Sequence, residues 1–293
     1  MNYREKYGRW ALVVGGSTTI GEQFCRQLAA EGMDIVMVAR RRDLLEQLAR
    51  DIESSHGVQA RAVALDLTTE GSIKQLRAAT ADLEVGFLVV NANLHRINRF
   101  DEMDWELKRT MLQMNALNPV MLCHQYGPQM MARAKGAILL VGASSGLMGL
   151  ENDAIFQGSK SFLQGFAESL WLEYRKHGVR VAVTLVSAIK GSASYEAKTS
   201  ARSRTMLRWV GNEMPPETIV AKTLRCFEKK DYPIIIPDHL TAFNRMVFAL
   251  SLFAKLLRFR WLSLALSKMT NSFLDGEEVK NPPESSRRLV RRE

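Results

Sequence analysis

The sequence predicts an α/β fold with a doubly wound parallel sheet of about seven strands and a C-terminal helical extension. Three observations carry this. Short β-rich apolar runs recur along the chain, stretches of helical periodicity fill nearly every gap between them, and a glycine-rich turn follows the first run. Strands separated by helices of this length pair in parallel through right-handed crossovers, so helices cover both faces of the sheet.

The predicted strands are Trp10 to Gly16, Ile35 to Ala39, Ala60 to Leu65, Phe87 to Asn91, Ala137 to Ala143, Val179 to Val186 and Pro233 to Pro237. They define one domain over residues 1–238. The stretch from Ser187 to Pro216 is long and rich in small, polar and charged residues. It reads either as a lid over a site or as an excursion without function. From 239 to 274 the chain is dominated by Phe, Leu, Met and Trp with Lys255, Arg258, Arg260 and Lys268 interspersed. These charges keep its apolar runs below the roughly 20 residues of a spanning helix. Two readings stand side by side: helices lying in a membrane interface, or a helical flap packed on the domain or on a second subunit. The polar tail 275–293 predicts disorder.

With 293 residues, 46% of them hydrophobic, the chain can bury one sizeable core. Cys25, Cys123 and Cys226 lie far apart without metal-ligand or redox spacing, so no metal site is expected and the thiols read as buried in a reducing compartment. The first residues lack the apolar core of a signal peptide, which predicts a cytoplasmic protein, peripheral at a membrane if the 239–274 segment binds one. The net charge of +9 suits an acidic partner. No basic reading element for nucleic acid is present, so an anionic membrane surface is the more economical expectation.

Strand one runs into Gly15-Gly16-Ser17-Thr18-Thr19-Ile20-Gly21 and then a helix expected near Glu22. Such a turn aims backbone N–H groups and the positive end of a helix at a phosphate. Later come Asp66-Leu67 after strand three, Val90-Asn91-Ala92-Asn93 after strand four, Met114-Asn115-Ala116 on a helix, and Gly146-Leu147-Met148-Gly149 ahead of Lys160. In this order, over roughly residues 8 to 237, the chain resembles the short-chain dehydrogenase/reductase family. The resemblance implies a Rossmann-like fold and NADP(H) as cofactor. It places Gly15, Ser17, Thr18, Ile20, Gly21, Arg40, Arg41, Asp66, Leu67, Asn91 and Lys160 against that cofactor. Arg40 and Arg41 occupy the position where NADP-preferring members hold the ribose 2′-phosphate, for which a guanidinium fork is well suited. Thr19 stands at the turn's middle glycine, where a β-branched side chain adds bulk and predicts weakened cofactor binding.

The retained catalytic positions are Lys160 and Asn115. The same register puts Ala143 at the family's substrate-orienting serine, with Ser144 beside it, and Phe156 at the tyrosine four residues before Lys160. After strand six the family's Pro-Gly is Ser187-Ala188. In the family the tyrosine exchanges a proton with the substrate oxygen, and phenylalanine has none to give. Losing a general acid costs roughly 10²- to 10⁴-fold, and losing an oxygen-orienting donor about 3 kcal/mol more. His95 is the preferred stand-in because imidazole titrates near neutral pH; the plain alternative is a solvated loop histidine. Glu151 and Asp153 read as helix N-terminal acids, and Tyr195 lies in the expected lid.

Three readings follow. In the first, the fold binds a hydrophobic small molecule or performs a non-redox step such as isomerisation or cyclisation. The second is an NADP(H)-dependent oxidoreductase of a lipid-, steroid- or polyketide-like alcohol or ketone, using a substitute proton donor. The third is a non-catalytic membrane-associated scaffold. The number of replaced positions favours the first. Homo-oligomerisation through the helices near Asn115 and Phe156 is expected from the resemblance, with Phe162, Phe166 and Trp171 either at that interface or in the core.

Overall fold

The computed structural model describes residues 2–147, 149–186, 214–229 and 231–237. The expected lid with Ser187, Ala188 and Tyr195, the apolar and basic segment 239–274 with its expected membrane contact, and the tail 275–293 lie outside the described residues.

The strands are β1 (Trp10–Val14), β2 (Asp34–Ala39), β3 (Ala60–Ala64), β4 (Val85–Val90), β5 (Gly136–Ala143), β6 (Val179–Val186) and β7 (Ile234–Ile235). They form a parallel sheet in the order β3-β2-β1-β4-β5-β6-β7. The sequence placed all seven, with every end shifted by two residues or fewer.

Alternate residues of each strand enter two separate cores, because successive side chains point to opposite faces. Ala11 and Val13 meet Phe24 and Leu28 of α2 (Thr19–Ala30), Leu45 and Ile52 of α3 (Arg42–His56), and Val220 and Phe227 of a C-terminal helix, Pro216–Lys229. Leu12 and Val14 meet Leu76 of α4 (Ser72–Ala79), with Leu122 and Tyr126 of Asn118–Ala132 and Leu163 and Ala167 of Ala154–Tyr174 in the same cluster. Strands covered on both faces have no polar alternation to preserve, which is why β1 reads as an unbroken apolar run.

The short N-terminal helix Tyr3–Tyr7 is α1. The remaining helices, in chain order, are α5 (Trp105–Leu112), α6 (Asn118–Ala132), α7 (Ala154–Tyr174) and α8 (Pro216–Lys229). Between α5 and α6 the chain winds through one π-helical segment, Gln113–Leu117, which contains Asn115. A π segment inside a helix frequently marks a functional position, and a sequence period of 3.6 gives no sign of it.

The winding direction reverses between β1 and β4. In doubly wound sheets the ligand crevice opens at the carboxyl ends of the strands at this switch point. The Gly15–Thr18 turn and Asn91 lie there side by side. Cys25 and Cys123 are buried and Cys226 is partly so. Among the described residues no helix is long and apolar enough to cross a membrane.

Candidate functional site

The glycine turn is closed by its own hydrogen bonds. Gly15 and Gly16 donate to the Val38 carbonyl, and Thr18 donates back to the Gly15 carbonyl at 3.2 Å. Gly15 has φ +89°, and a Cβ there would stand 2.7 Å from Ala92 N. At Gly21 a Cβ would come within 2.0 Å of the Gly15 carbonyl oxygen, so only glycine lets the helix start fold against its own turn. Helix α2 begins at Thr19, three residues earlier than expected near Glu22, because Thr18 is its N-cap: Thr18 Oγ1 accepts from Gly21 N at 3.2 Å. Asn91 Nδ2 reaches across from β4 to the Gly15 carbonyl (3.1 Å) and Thr18 Oγ1 (2.8 Å). Asn91 therefore ties the turn to the neighbouring strand.

Thr19 is the first residue of α2 and is exposed, whereas Ile20 behind it is buried in the core. Its side chain stands outside the packed turn, which leaves the helix N-terminus directed outward. Arg40 and Arg41 are exposed beyond β2, and Arg41 Nη2 donates to the Ser17 carbonyl at 2.8 Å. The Arg41 guanidinium thus lies against the turn. Asp66 uses Oδ1 to accept from Thr68 N (2.9 Å) and Thr68 Oγ1 (2.8 Å), which shapes the loop after β3. The Leu67 side chain is buried, and its carbonyl accepts from Asn118 Nδ2 at 2.8 Å. Asn118, itself buried, escaped the sequence reading because an asparagine at a helix start ordinarily signals a cap. A glycine turn, a helix N-terminus and the adjoining Arg41 fit a phosphate-bearing dinucleotide.

A second group of residues gathers around Phe156. This ring lies in the first turn of α7 and packs in a satellite cluster with Met103, Met111, Leu94, Leu107 and Ala143. Ala143 ends β5, and the buried Ser144 opens the short 3₁₀ turn Ser144–Leu147. One helical turn beyond Phe156, the buried Lys160 points its Nζ at the Val141 carbonyl, 3.0 Å away, and lies 5.4 Å from the Phe156 ring centroid. Burial lowers its pKa to about 8. The resemblance sets this ammonium against the cofactor, and the structure shows the Val141 carbonyl accepting from it.

Asn115 holds the loop after β4. Its Oδ1 accepts from Leu94 N at 2.8 Å and its Nδ2 donates to the Leu94 carbonyl at 2.7 Å. The next residue, His95, is stacked on Phe156 with centroids 3.7 Å apart and planes 11° from parallel. His95 Nε2 lies 2.9 Å and 3.1 Å from the two carboxylate oxygens of Asp153. Its side chain is 20% exposed and that of Asp153 2%. A freely solvated histidine is therefore not what the fold contains. Asp153 does occupy the N-cap of α7, yet its side chain makes no capping bond; it takes His95 and Gln157 Nε2 instead. Glu151 remains exposed in the turn before it.

Of the aromatics weighed for an interface, Phe162 is exposed and stacks on Phe166, whereas Phe166 and Trp171 pack against the core.

Residues 9–202 match the short chain dehydrogenase family. The chain is 32% identical over 183 residues to a 7beta-hydroxysteroid dehydrogenase of Collinsella aerofaciens, covering 62% of this chain and 70% of the relative. It is 31% identical over 183 residues to the very-long-chain 3-oxoacyl-CoA reductase of Homo sapiens, covering 61% and 58%. Among solved structures, one addressing 7beta-hydroxysteroid dehydrogenase stereoselectivity superposes with a TM-score of 0.77 at 26% identity over 86% of this chain and 94% of the other. A short-chain dehydrogenase from Sphingobium yanoikuyae in complex with NADPH shares the fold, with a TM-score of 0.72 at 21% identity over 94% and 99%.

These relatives overturn the expectation of a non-redox catalyst or a mere binding protein. They are dehydrogenases and reductases, and the family match over residues 9–202 includes the turn, the Phe156 helix and Lys160. Thr19 is exposed and does not fill the turn, which the Gly15 and Gly21 close approaches hold together. The chain belongs to the short-chain dehydrogenase family.

Proposed function

We propose that the chain is an NADP(H)-dependent oxidoreductase of a hydrophobic alcohol or ketone, with His95 supplying the proton that a tyrosine supplies elsewhere in the family. The single observation that carries this is the stacking of His95 on Phe156 at 3.7 Å. It sets a titratable imidazole against the ring that stands at the tyrosine position, one turn from Lys160.

The cofactor frame is Gly15, Ser17, Thr18, Ile20 and Gly21 with Arg40, Arg41, Asp66, Leu67, Asn91 and Lys160. Arg40 and Arg41 favour a 2′-phosphate, since each offers a forked, permanently charged donor. When bound, the reduced nicotinamide supplies hydride to the carbonyl carbon. His95 delivers a proton to the carbonyl oxygen, and Lys160 holds a ribose hydroxyl once it turns from the Val141 carbonyl. Ala143 offers the oxygen no hydroxyl, which places the burden of stabilising it on His95.

The substrate class follows from the lining and the relatives together. Phe156, Met103, Met111 and Leu94 give the site an apolar wall, and relatives named for a hydroxysteroid and a very-long-chain 3-oxoacyl thioester handle large apolar molecules. The test is NADPH consumption against a panel of oxosteroids and long-chain 3-oxoacyl thioesters. Turnover with a member of that panel, abolished in His95→Ala while NADPH still binds, supports the proposal; undiminished turnover in His95→Ala removes His95 from the mechanism.

A second copy of the chain is the partner we propose for the outer groove of α5, the π segment and α7. The groove encloses about 350 Å³ and is lined by Trp105, Leu112, Leu117 and Phe162 among others. These four side chains are exposed and apolar, and none of them belongs to the cofactor or proton-transfer set.

A further inference from the structure

The ring at the tyrosine position has a task of its own. We infer that Phe156 and Asp153 are positioning residues for His95: the ring supports the imidazole face, and the carboxylate fixes Nε2, so that Nδ1 carries the proton exchanged with the substrate oxygen. This deepens the reading above and rests on it.

Four contacts define the placement. The Phe156 ring lies parallel beneath the imidazole. The carboxylate of Asp153 accepts from Nε2 with both oxygens within 3.1 Å. Asn115 holds the main chain of Leu94, the residue before His95, at its N–H and its carbonyl. Beyond it, Asn98 N donates to the Asn152 carbonyl at 2.9 Å, which ties the loop to the turn carrying Asp153.

Asp153 is committed to this arrangement. At a helix N-cap a carboxylate ordinarily accepts from the N–H groups of the first turn. Here it makes no such bond, and its Oδ2 accepts from Gln157 Nε2 at 2.6 Å. Gln157 is buried one turn into α7. A buried carboxylate that forgoes capping for an imidazole 58 positions away in sequence selects the tautomer that carries a proton on Nε2.

Among the described residues, three charged side chains lie near the imidazole or its main chain. Asp153 faces it from the start of α7, Lys160 lies beyond the Phe156 ring, and Arg96 on its own loop donates from Nη1 to the His95 carbonyl at 2.9 Å. From α5 and from the loop ahead of it, Met111 and Met103 bring only apolar surface to Phe156. Among the described residues, Asp153 is the carboxylate in direct contact with the ring.

The step balances. As hydride adds to the carbonyl carbon, the π pair of the C=O bond becomes a lone pair on oxygen and takes the Nδ1 proton. The imidazolium becomes neutral imidazole, Asp153 stays ionised, and solvent at the partly exposed ring returns the proton. One ketone, one reduced nicotinamide and one proton give one alcohol and one oxidised nicotinamide.

The test is the pH–rate profile of ketone reduction with NADPH for the wild type, Asp153→Asn, Phe156→Leu and His95→Ala, each with its NADPH affinity measured by calorimetry. In Asp153→Asn the alkaline limb moves to lower pH by about 1 to 3 units, because an opposite charge beside the imidazole is gone. Phe156→Leu lowers kcat at least about tenfold with NADPH affinity unchanged, as misplacing a proton donor does. An Asp153→Asn profile that overlays the wild type, while His95→Ala is inactive, overturns the positioning role and leaves the proton donor in place. Full activity in His95→Ala overturns the reading on which the inference rests. Should Asp153→Asn lose NADPH binding and with it its fold, Phe156→Leu decides alone: wild-type kcat there overturns the inference.

Discussion

Lys160 Nζ sits 5.4 Å from the centroid of the Phe156 ring, and the only hydrogen bond it makes among the described residues is to the Val141 carbonyl. An ammonium so placed has lost most of its hydration, and burial lowers its pKa from 10.5 to about 8. The unfolded chain then holds more protons than the folded one between these two values. Stability rises with pH across that window, the penalty being fully present below pH 8 and relieved above 10.5. The full shift corresponds to about 3 kcal/mol at most. Denaturant unfolding at pH 7.5 and 9.5 compares the wild type with Lys160→Met. A smaller gain on going to the higher pH is expected in the variant; equal gains would mean that the ammonium is hydrated in the folded protein.

The same pair supplies a route back to the family's chemistry. Phe156→Tyr places a phenol one turn from Lys160, where a neighbouring cation favours the phenolate. In a His95→Ala background this substitution is expected to recover at least about tenfold in kcat for ketone reduction. Steady-state kinetics on the single and double variants checks it, and no recovery would place Phe156 away from the reacting oxygen.

The two arginines beyond β2 are the residues we propose to set cofactor choice. Replacing both Arg40 and Arg41 by alanine is expected to weaken NADPH binding by about 10- to 100-fold, the loss of one or two charge-assisted contacts, while NADH affinity stays within about twofold. Calorimetric titration with both cofactors measures it. A parallel loss for NADH would assign the arginines to the turn, through the Arg41 contact to Ser17, in place of the 2′-phosphate.

Asn115 is expected to matter to stability and rate together. Asn115→Ala strips both partners from the part-buried Leu94 main chain, where full burial would cost about 1–3 kcal/mol for each group left unpaired and partial exposure reduces that. It also frees the loop that carries His95. Thermal unfolding should fall by several degrees, and kcat should fall with little change in the KM for NADPH. A kcat unchanged despite lower stability would separate the loop from the chemistry.

An acidic residue in the outer groove tests self-association. Leu112→Glu or Phe162→Glu places a charge in a surface lined by Trp105 and Leu117. The variants are expected to elute at half the mass of the wild type or less in size-exclusion chromatography with light scattering. Identical masses would exclude this groove as the interface.

The sequence by itself determined the sheet. Seven apolar runs and the gaps between them fixed strand identity and parallel pairing, because strands covered on both faces must be apolar throughout and connections of that length permit only crossovers. It also located the glycine turn, Arg40, Arg41, Asn91, Asn115, Phe156 and Lys160, whose residue types carry their chemistry at fixed local spacings. The expectation of non-redox chemistry, drawn from Ala143 and Phe156, was overturned by the dehydrogenase and reductase relatives, and the stacking of His95 on Phe156 was not visible in the sequence. Only the tertiary structure decided that His95 stacks on Phe156, that Asp153 faces His95 in place of capping α7, that Asn115 lies in a π segment and that Thr19 stands clear of its turn. Each of these joins residues distant in the chain or depends on where one backbone segment bends. Local periodicity reports which face of an element is apolar; it does not report which loop a crossover brings to the end of a strand.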